Sequence, residues 1–222
     1  MKPVRSPEPM HRRDFLQRGV LFGLTLCGGA GGCATKPMRQ EIHQLEGSLT
    51  VDGRPAGPDT LIRPGQTVAT SGQGRLTLVM GEDAFLLGPS TRVAFQPADS
   101  RQPMTSTGFT LQAGRILSVF GPGPRGIKTP TATIGIRGTG LFLQAEPERD
   151  YLCLCYGRIE IRMHAKPEQV IPLESRYHAS RYLSGASAPS KAPMHNHTDE
   201  ELFLLESLVN RRPLLDDGAT GY

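Results

Sequence analysis

Cysteine is scarce in this chain: four in 222 residues. Cys27 and Cys33 fall in an N-terminal segment that reads as a targeting signal, which leaves Cys153 and Cys155 for the rest. A framework of disulfides is therefore excluded. Long apolar runs are missing as well. The run Gly19 to Cys27 is too short to make a comfortable membrane-spanning helix. Tryptophan is absent and aromatic residues make up 6%. With 37% hydrophobic and 21% charged residues, the chain is neither a disordered polyampholyte nor a multi-span membrane protein.

A charge excess on the main body is missing too. The formal net charge is +4, but residues 1–34 hold five basic side chains against two acidic ones. Of the chain's 25 basic and 21 acidic residues, 20 and 19 remain for everything after Ala34. Composition thus gives no basic patch for nucleic acid, and no nucleic-acid partner is expected. What is abundant is Gly (26) and Pro (19), the punctuation of many short strands and turns rather than of a helical bundle.

The N-terminus has the basic, apolar and small-residue order of a signal peptide, assigned to residues 1–34. Arg12 and Arg13 followed by Asp14-Phe15-Leu16 resemble the bacterial twin-arginine export signal, with His11 where Ser or Thr is usual. Two processing readings stand open. Ala30-Gly31-Gly32-Cys33 resembles a lipobox that would lipidate Cys33, and cleavage after Ala34 is the other. The expected location is the periplasm, with membrane contact only through the signal or a lipid anchor.

From about residue 40 to 163 the pattern is short strands separated by turn signals every 8–12 residues, which implies an all-β sandwich, roll or solenoid. Within it, Leu45-Glu-Gly-Ser-Leu-Thr-Val-Asp-Gly53, Leu61-Ile-Arg-Pro-Gly-Gln-Thr-Val-Ala-Thr70, the Gly88-Pro89-Ser90 turn and Tyr156-Gly-Arg-Ile-Glu-Ile161 follow one another in an ordered series. Lys128-Thr-Pro-Thr-Ala-Thr-Ile-Gly-Ile-Arg-Gly-Thr-Gly-Leu-Phe-Leu143 is the most specific of these segments. Together they resemble the FecR domain over about 120 residues, with Thr129, Pro130, Arg137, Gly138 and Thr139 as its turn motif.

The resemblance implies a non-catalytic envelope domain of roll-like or solenoid-like architecture. Its work would be binding, scaffolding or signal relay with an envelope protein or glycan. The family's named member controls a sigma factor through a cytoplasmic helical segment ahead of a membrane span. Only the export-type segment stands ahead of the domain here, so a stand-alone exported domain is expected instead. In the turn itself, Gly138 and Gly140 suit positive φ or close approach, and Thr139 could cap with its hydroxyl. Arg137 reads either as a core-lining residue bonding turn carbonyls or as an anion-binding group.

Residues 164–222 are polar and Pro-rich, a wrap or linker over the β domain. They contain one helical pattern, from about 199 to 210. Thr198 and Glu201 form a capping box, Leu202, Leu205, Leu208 and Val209 share a face, Arg211 and Arg212 suit the C-terminal end, and Pro213 stops the helix.

The same stretch offers ligand chemistry. Cys153 and Cys155 lie two apart on a strand, so both thiols face one side, and His178, His195 and His197 follow. Thiolates and imidazoles bind Zn, Cu or Fe. The alternative function is therefore a metal-binding or redox module, which suits an export route that carries folded proteins. Against it stands the reading that the thiols are small core residues, in which case no cofactor is expected. His195-Asn-His197 with Glu201 has the first spacing of a cupin site, but Leu208 replaces the Gly that follows and too little chain remains for the second motif. No G-x-S-x-G elbow occurs, so a hydrolase has no nucleophile and base that the sequence can name.

Overall fold

The computed structural model describes residues 40–99, 102–146, 148–185 and 187–212. The export motif Arg12, Arg13, Phe15 and Leu16, the lipobox Cys33 and Pro213 lie outside the described residues. The described residues are all-β with one helix. In order the strands are β1 (Gln40–Glu46), β2 (Leu49–Val51), β3 (Arg54–Ala56), β4 (Thr67–Thr70), β5 (Arg75–Met80) and β6 (Asp83–Leu87). There follow β7 (Arg92–Phe95), β8 (Ala98–Asp99), β9 (Gln102–Ser106), β10 (Gly108–Val119), β11 (Pro124–Lys128) and β12 (Ala132–Arg137). The last are β13 (Gly140–Ala145), β14 (Asp150–Met163), β15 (Ile171–Ser175), β16 (Ala179–Leu183) and β17 (Ser190–Lys191), ahead of the helix α1 (Asp199–Leu208).

Two long strands organise the roll by belonging to both of its layers. The first part of β10 pairs with β7 and β11, and its second part pairs with β6 and β13. Likewise β14 pairs with β13 and β16 up to Tyr156, then with β12 and β15 from Gly157 on. Each switch of layer falls at a glycine with positive φ, +81° at Gly114 and +101° at Gly157. A Cβ at Gly114 would stand 2.4 Å from the Thr91 Cα, and one at Gly157 would stand 2.5 Å from the Thr139 Cγ2. Only a residue without a side chain lets these strands turn the corner so tightly.

The interior between the layers is aliphatic with a cluster of Phe85, Phe95, Phe109 and Phe120 in its middle, ring centroids 5.1–6.3 Å apart. A second, smaller core lies on the outside of one layer, where Val79, Leu86, Leu117, Phe142 and Tyr156 meet Leu202 and Leu205 of α1. The strands between the two cores are buried on both faces, which explains apolar runs such as Ala84-Phe-Leu-Leu87 where simple alternation is absent.

Three features differ from the sequence expectation. The β region runs past Met163, because β15 to β17 extend the sheets from β14 onward. Prolines in that stretch sit at or between short edge strands, where a missing amide is tolerated. The helix ends at Leu208, and Asn210 with φ 56° provides a left-handed terminus in the role assigned to Pro213. In the family-like turn, Arg137 is exposed, and the hydroxyl of Thr139 is buried without a hydrogen-bond partner, so neither bonds the turn. The capping box of Thr198 and Glu201 is formed as read. Thr129 closes the β11–β12 turn through its bonds to Ala132.

A buried ion pair joins the layers. Arg125 of β11 donates to Asp83 of β6 at 3.1 Å, with side chains 6% and 1% exposed, and the Gly121 amide donates to the same carboxylate at 2.8 Å. Asp83→Ala leaves the Arg125 charge buried and alone, and should lower unfolding free energy by about 3–5 kcal/mol. Replacing both partners with Leu and Met should cost much less. Urea denaturation of the three proteins checks this.

Candidate metal centre

Along the first part of β14, Leu152 and Leu154 point into the main core while Tyr151, Cys153 and Cys155 face the second one. This is the shared face expected for two thiols at alternate strand positions. Cys153 and Cys155 are fully buried and free. Two histidines close over them from different directions. His178 lies just before β16, with φ 36°, a left-handed conformation that a non-glycine residue adopts at a cost of about 1–3 kcal/mol. His197 directly precedes the helix N-cap and follows Asn196, itself left-handed at φ 65°.

The four donor atoms lie within 4.8 Å of one another. Cys153 Sγ is 3.3 Å from His178 Nδ1, and Cys155 Sγ is 3.7 Å from His197 Nε2. In a tetrahedral zinc site, with Zn–S about 2.3 Å and Zn–N about 2.0–2.1 Å, neighbouring donors stand about 3.3–3.8 Å apart. The observed cluster needs only small movements to reach that geometry.

Each imidazole is oriented from behind by a group that can only accept. His178 Nε2 donates to Asp199 Oδ1 at 2.8 Å, and Asp199 Oδ2 also accepts from the Tyr177 hydroxyl at 2.9 Å. His197 Nδ1 donates to the His195 carbonyl at 2.9 Å. In the neutral ring, both inner nitrogens therefore present lone pairs toward the thiols. His197 is further held by stacking on Phe142, centroids 4.4 Å apart.

Electrostatics separates the two thiols. A hydrogen bond from Cys155 draws Cys153 down to about 3; burial opposes it, while His178 and His197 add to it. Burial pushes Cys155 well above its ordinary value, and the neighbouring Cys153 raises it further. Burial disfavours the His178 cation, but the hydrogen bonds and charges of Cys153 and Asp199 outweigh it and raise its pKa. Cys153 is thus the more acidic of the two thiols, and Cys155 is the one that burial keeps protonated.

Of the five residues proposed from sequence as ligands, four converge. His195 does not: its ring stacks on Tyr151, centroids 3.9 Å apart, and its carbonyl serves His197 instead. Sequence reading missed Asp199 as the group behind His178, since an acid in the first turn of a helix has a sufficient reason in the dipole. The chain Cys153, His178, Asp199 also has the order of nucleophile, base and orienting acid, which the sequence left without candidates. Access argues against using it so: Cys153 is 0% exposed, and the larger described cavity is lined by other residues.

No family profile and no curated protein matches the chain. Two crystal structures of a protein from Parabacteroides distasonis ATCC 8503, described as a candidate anti-sigma factor, resemble it at 13% and 14% identity, each with a TM-score of 0.46. Each match covers 63% of this chain and 64% of the other, so the chain spans under two thirds of those relatives. The resemblance to FecR domains accordingly rests on the ordered motifs in the sequence.

Burial makes a direct prediction. Iodoacetamide should leave Cys153 and Cys155 unmodified in the folded protein and label both in concentrated guanidinium chloride, as peptide mass spectrometry would register. Fast labelling of Cys153 alone in the folded protein would instead mark an accessible nucleophile.

Proposed function

We propose that this chain is an exported, non-catalytic β domain whose Cys153, Cys155, His178 and His197 hold one zinc ion in a closed structural centre. The observation that carries this reading is the pair of imidazoles fixed from behind by Asp199 and the His195 carbonyl, so that four buried donors converge. Imidazoles that ligate a metal are held in this way, with the outer nitrogen bonded to a carboxylate or a carbonyl. An N₂S₂ donor set in a dry tetrahedral arrangement favours zinc over copper or iron. With all four positions taken by protein, no site is left for water or substrate, so the ion would act in stability and in docking α1 rather than in catalysis.

The coarser expectation from the family resemblance, signal relay with an envelope protein or glycan in the periplasm, is compatible with this centre. Zinc would then hold the relay surface in shape. The twin-arginine-type signal supports the same picture, since that route accepts domains already folded around a metal.

Elemental analysis tests the reading. The purified protein should carry about one equivalent of zinc, lost in Cys153→Ser/Cys155→Ser and in His197→Ala but retained in His195→Ala. Asp199→Asn should weaken zinc by about 10–100-fold. Absence of zinc from protein with native thermal stability would return the thiols to the role of packed core residues.

Binding should also be linked to protons. Cys155, whose thiol burial pushes well above its ordinary value, releases a proton to the solvent on binding, and His178, whose pKa is raised, adds another wherever its ring is charged. Zinc affinity should therefore rise with pH, by about one decade per unit or more near neutrality. Competition with a chromophoric chelator at several pH values measures the slope, and a flat profile would contradict the assigned protonation states.

A further inference from the structure

At the other end of α1 lies a cleft of about 570 Å³, within the usual range for small-molecule sites. Phe120 and Tyr156, 3% and 5% exposed, line it together with Arg137, Arg211, Arg212 and Glu206. The charges around it are unbalanced. Glu206 is the one carboxylate, and it is already satisfied: the Tyr156 hydroxyl donates to Oε1 and Arg211 Nε donates to Oε2 at 2.7 Å. Arg211 is held further by its bond to the Glu82 carbonyl at 2.9 Å, while its Nη2 is buried without an acceptor. Arg137 and Arg212 have no acidic partner among the described residues, although both belong to the lining. A cleft that gathers three guanidinium groups against an aromatic wall, one of them with a buried N–H that no described residue accepts, has the form of an anion site.

We propose that this cleft binds an amphiphilic anion, a carboxylate or phosphate head on an apolar body. The head would take the forks of Arg137 and Arg212 beside the fixed Arg211, and the body would pack on Phe120 and Tyr156. A planar guanidinium pairs with either head in two-point fashion, so carboxylate and phosphate share one chemistry. The ligand is either a soluble metabolite or the headgroup region of an anionic lipid. This site is separate from the zinc centre, and its existence does not depend on the metal.

The test uses the full chain and anilinonaphthalene sulfonate as a fluorescent amphiphilic anion. The dye should bind with about one equivalent, weaken with added salt, and be displaced by decanoate or dodecyl phosphate. Arg137→Ser/Arg212→Ser removes two exposed side chains without described partners, and should weaken the dye at least about tenfold while leaving thermal stability and zinc content at parent values. Sedimentation with phosphatidylcholine vesicles, with and without phosphatidylglycerol, separates the sources. Binding to the anionic vesicles that is lost in the double variant assigns a lipid headgroup, and equal vesicle binding by both proteins, with displacement by decanoate retained, assigns a soluble ligand. Unchanged dye affinity in the double variant, or no dye bound by the parent, would overturn the site. Zinc assayed in the same samples keeps that outcome distinct from failure of the metal reading.

Discussion

Burial of β14 on both of its faces is the constraint from which the rest follows. A strand whose interior side is Leu152 and Leu154 and whose outer side is Tyr151, Cys153 and Cys155 cannot be left open to water on either. The main core covers the first side. The second side is covered by a chain that crosses β16 and β17, passes over Tyr151 at His195, and enters α1. His197 and Asp199 arrive over the thiols because the cover must pass there, and Arg75 fixes the arrival by its ion pair to Glu201 at 2.6 Å. The same covering helix walls the arginine cleft at its far end.

Backbone conformation in this cover departs from ease where the donors sit. His178 and Asn196 are left-handed, and neither is a glycine. Such residues persist when surrounding contacts over-determine them. Here those contacts are the ion pair of His178 with Asp199 and the hydrogen bond of Asn196 to Gln144 at 2.8 Å.

What was legible in the sequence divides along physical lines. Local signals held: the capping box at Thr198 and the shared face of Cys153 and Cys155 are matters of a few neighbouring residues. The all-β class followed from turn spacing. Less legible were features set by packing at long range. The strands after Met163 were hidden because prolines and polar residues on exposed edges look like linker. Asp199 and Glu206 were hidden because their partners lie 21 and 50 residues away, at His178 and Tyr156. His195 and His197 are equivalent in sequence, and only the left-handed turn at Asn196 sends one ring to the thiols and the other to Tyr151. No residue pattern within that segment would have told them apart.

The helix itself has a consequence as a rigid body. It spans ten residues, roughly 15 Å, with Asp199 bonded to His178 at one end and Glu206, clamped by Tyr156 and Arg211, near the other. A tilt or slide that tightens the hold on His178 must also reposition the Glu206 clamp, because the body between them is stiff. Linkage then requires symmetry: if occupancy at one end favours a given seating of the helix by some free energy, that seating favours occupancy at the other end by the same amount. Were the proposed centre and the proposed cleft both filled, the stiff helix between them would be the element through which one occupancy is felt at the other.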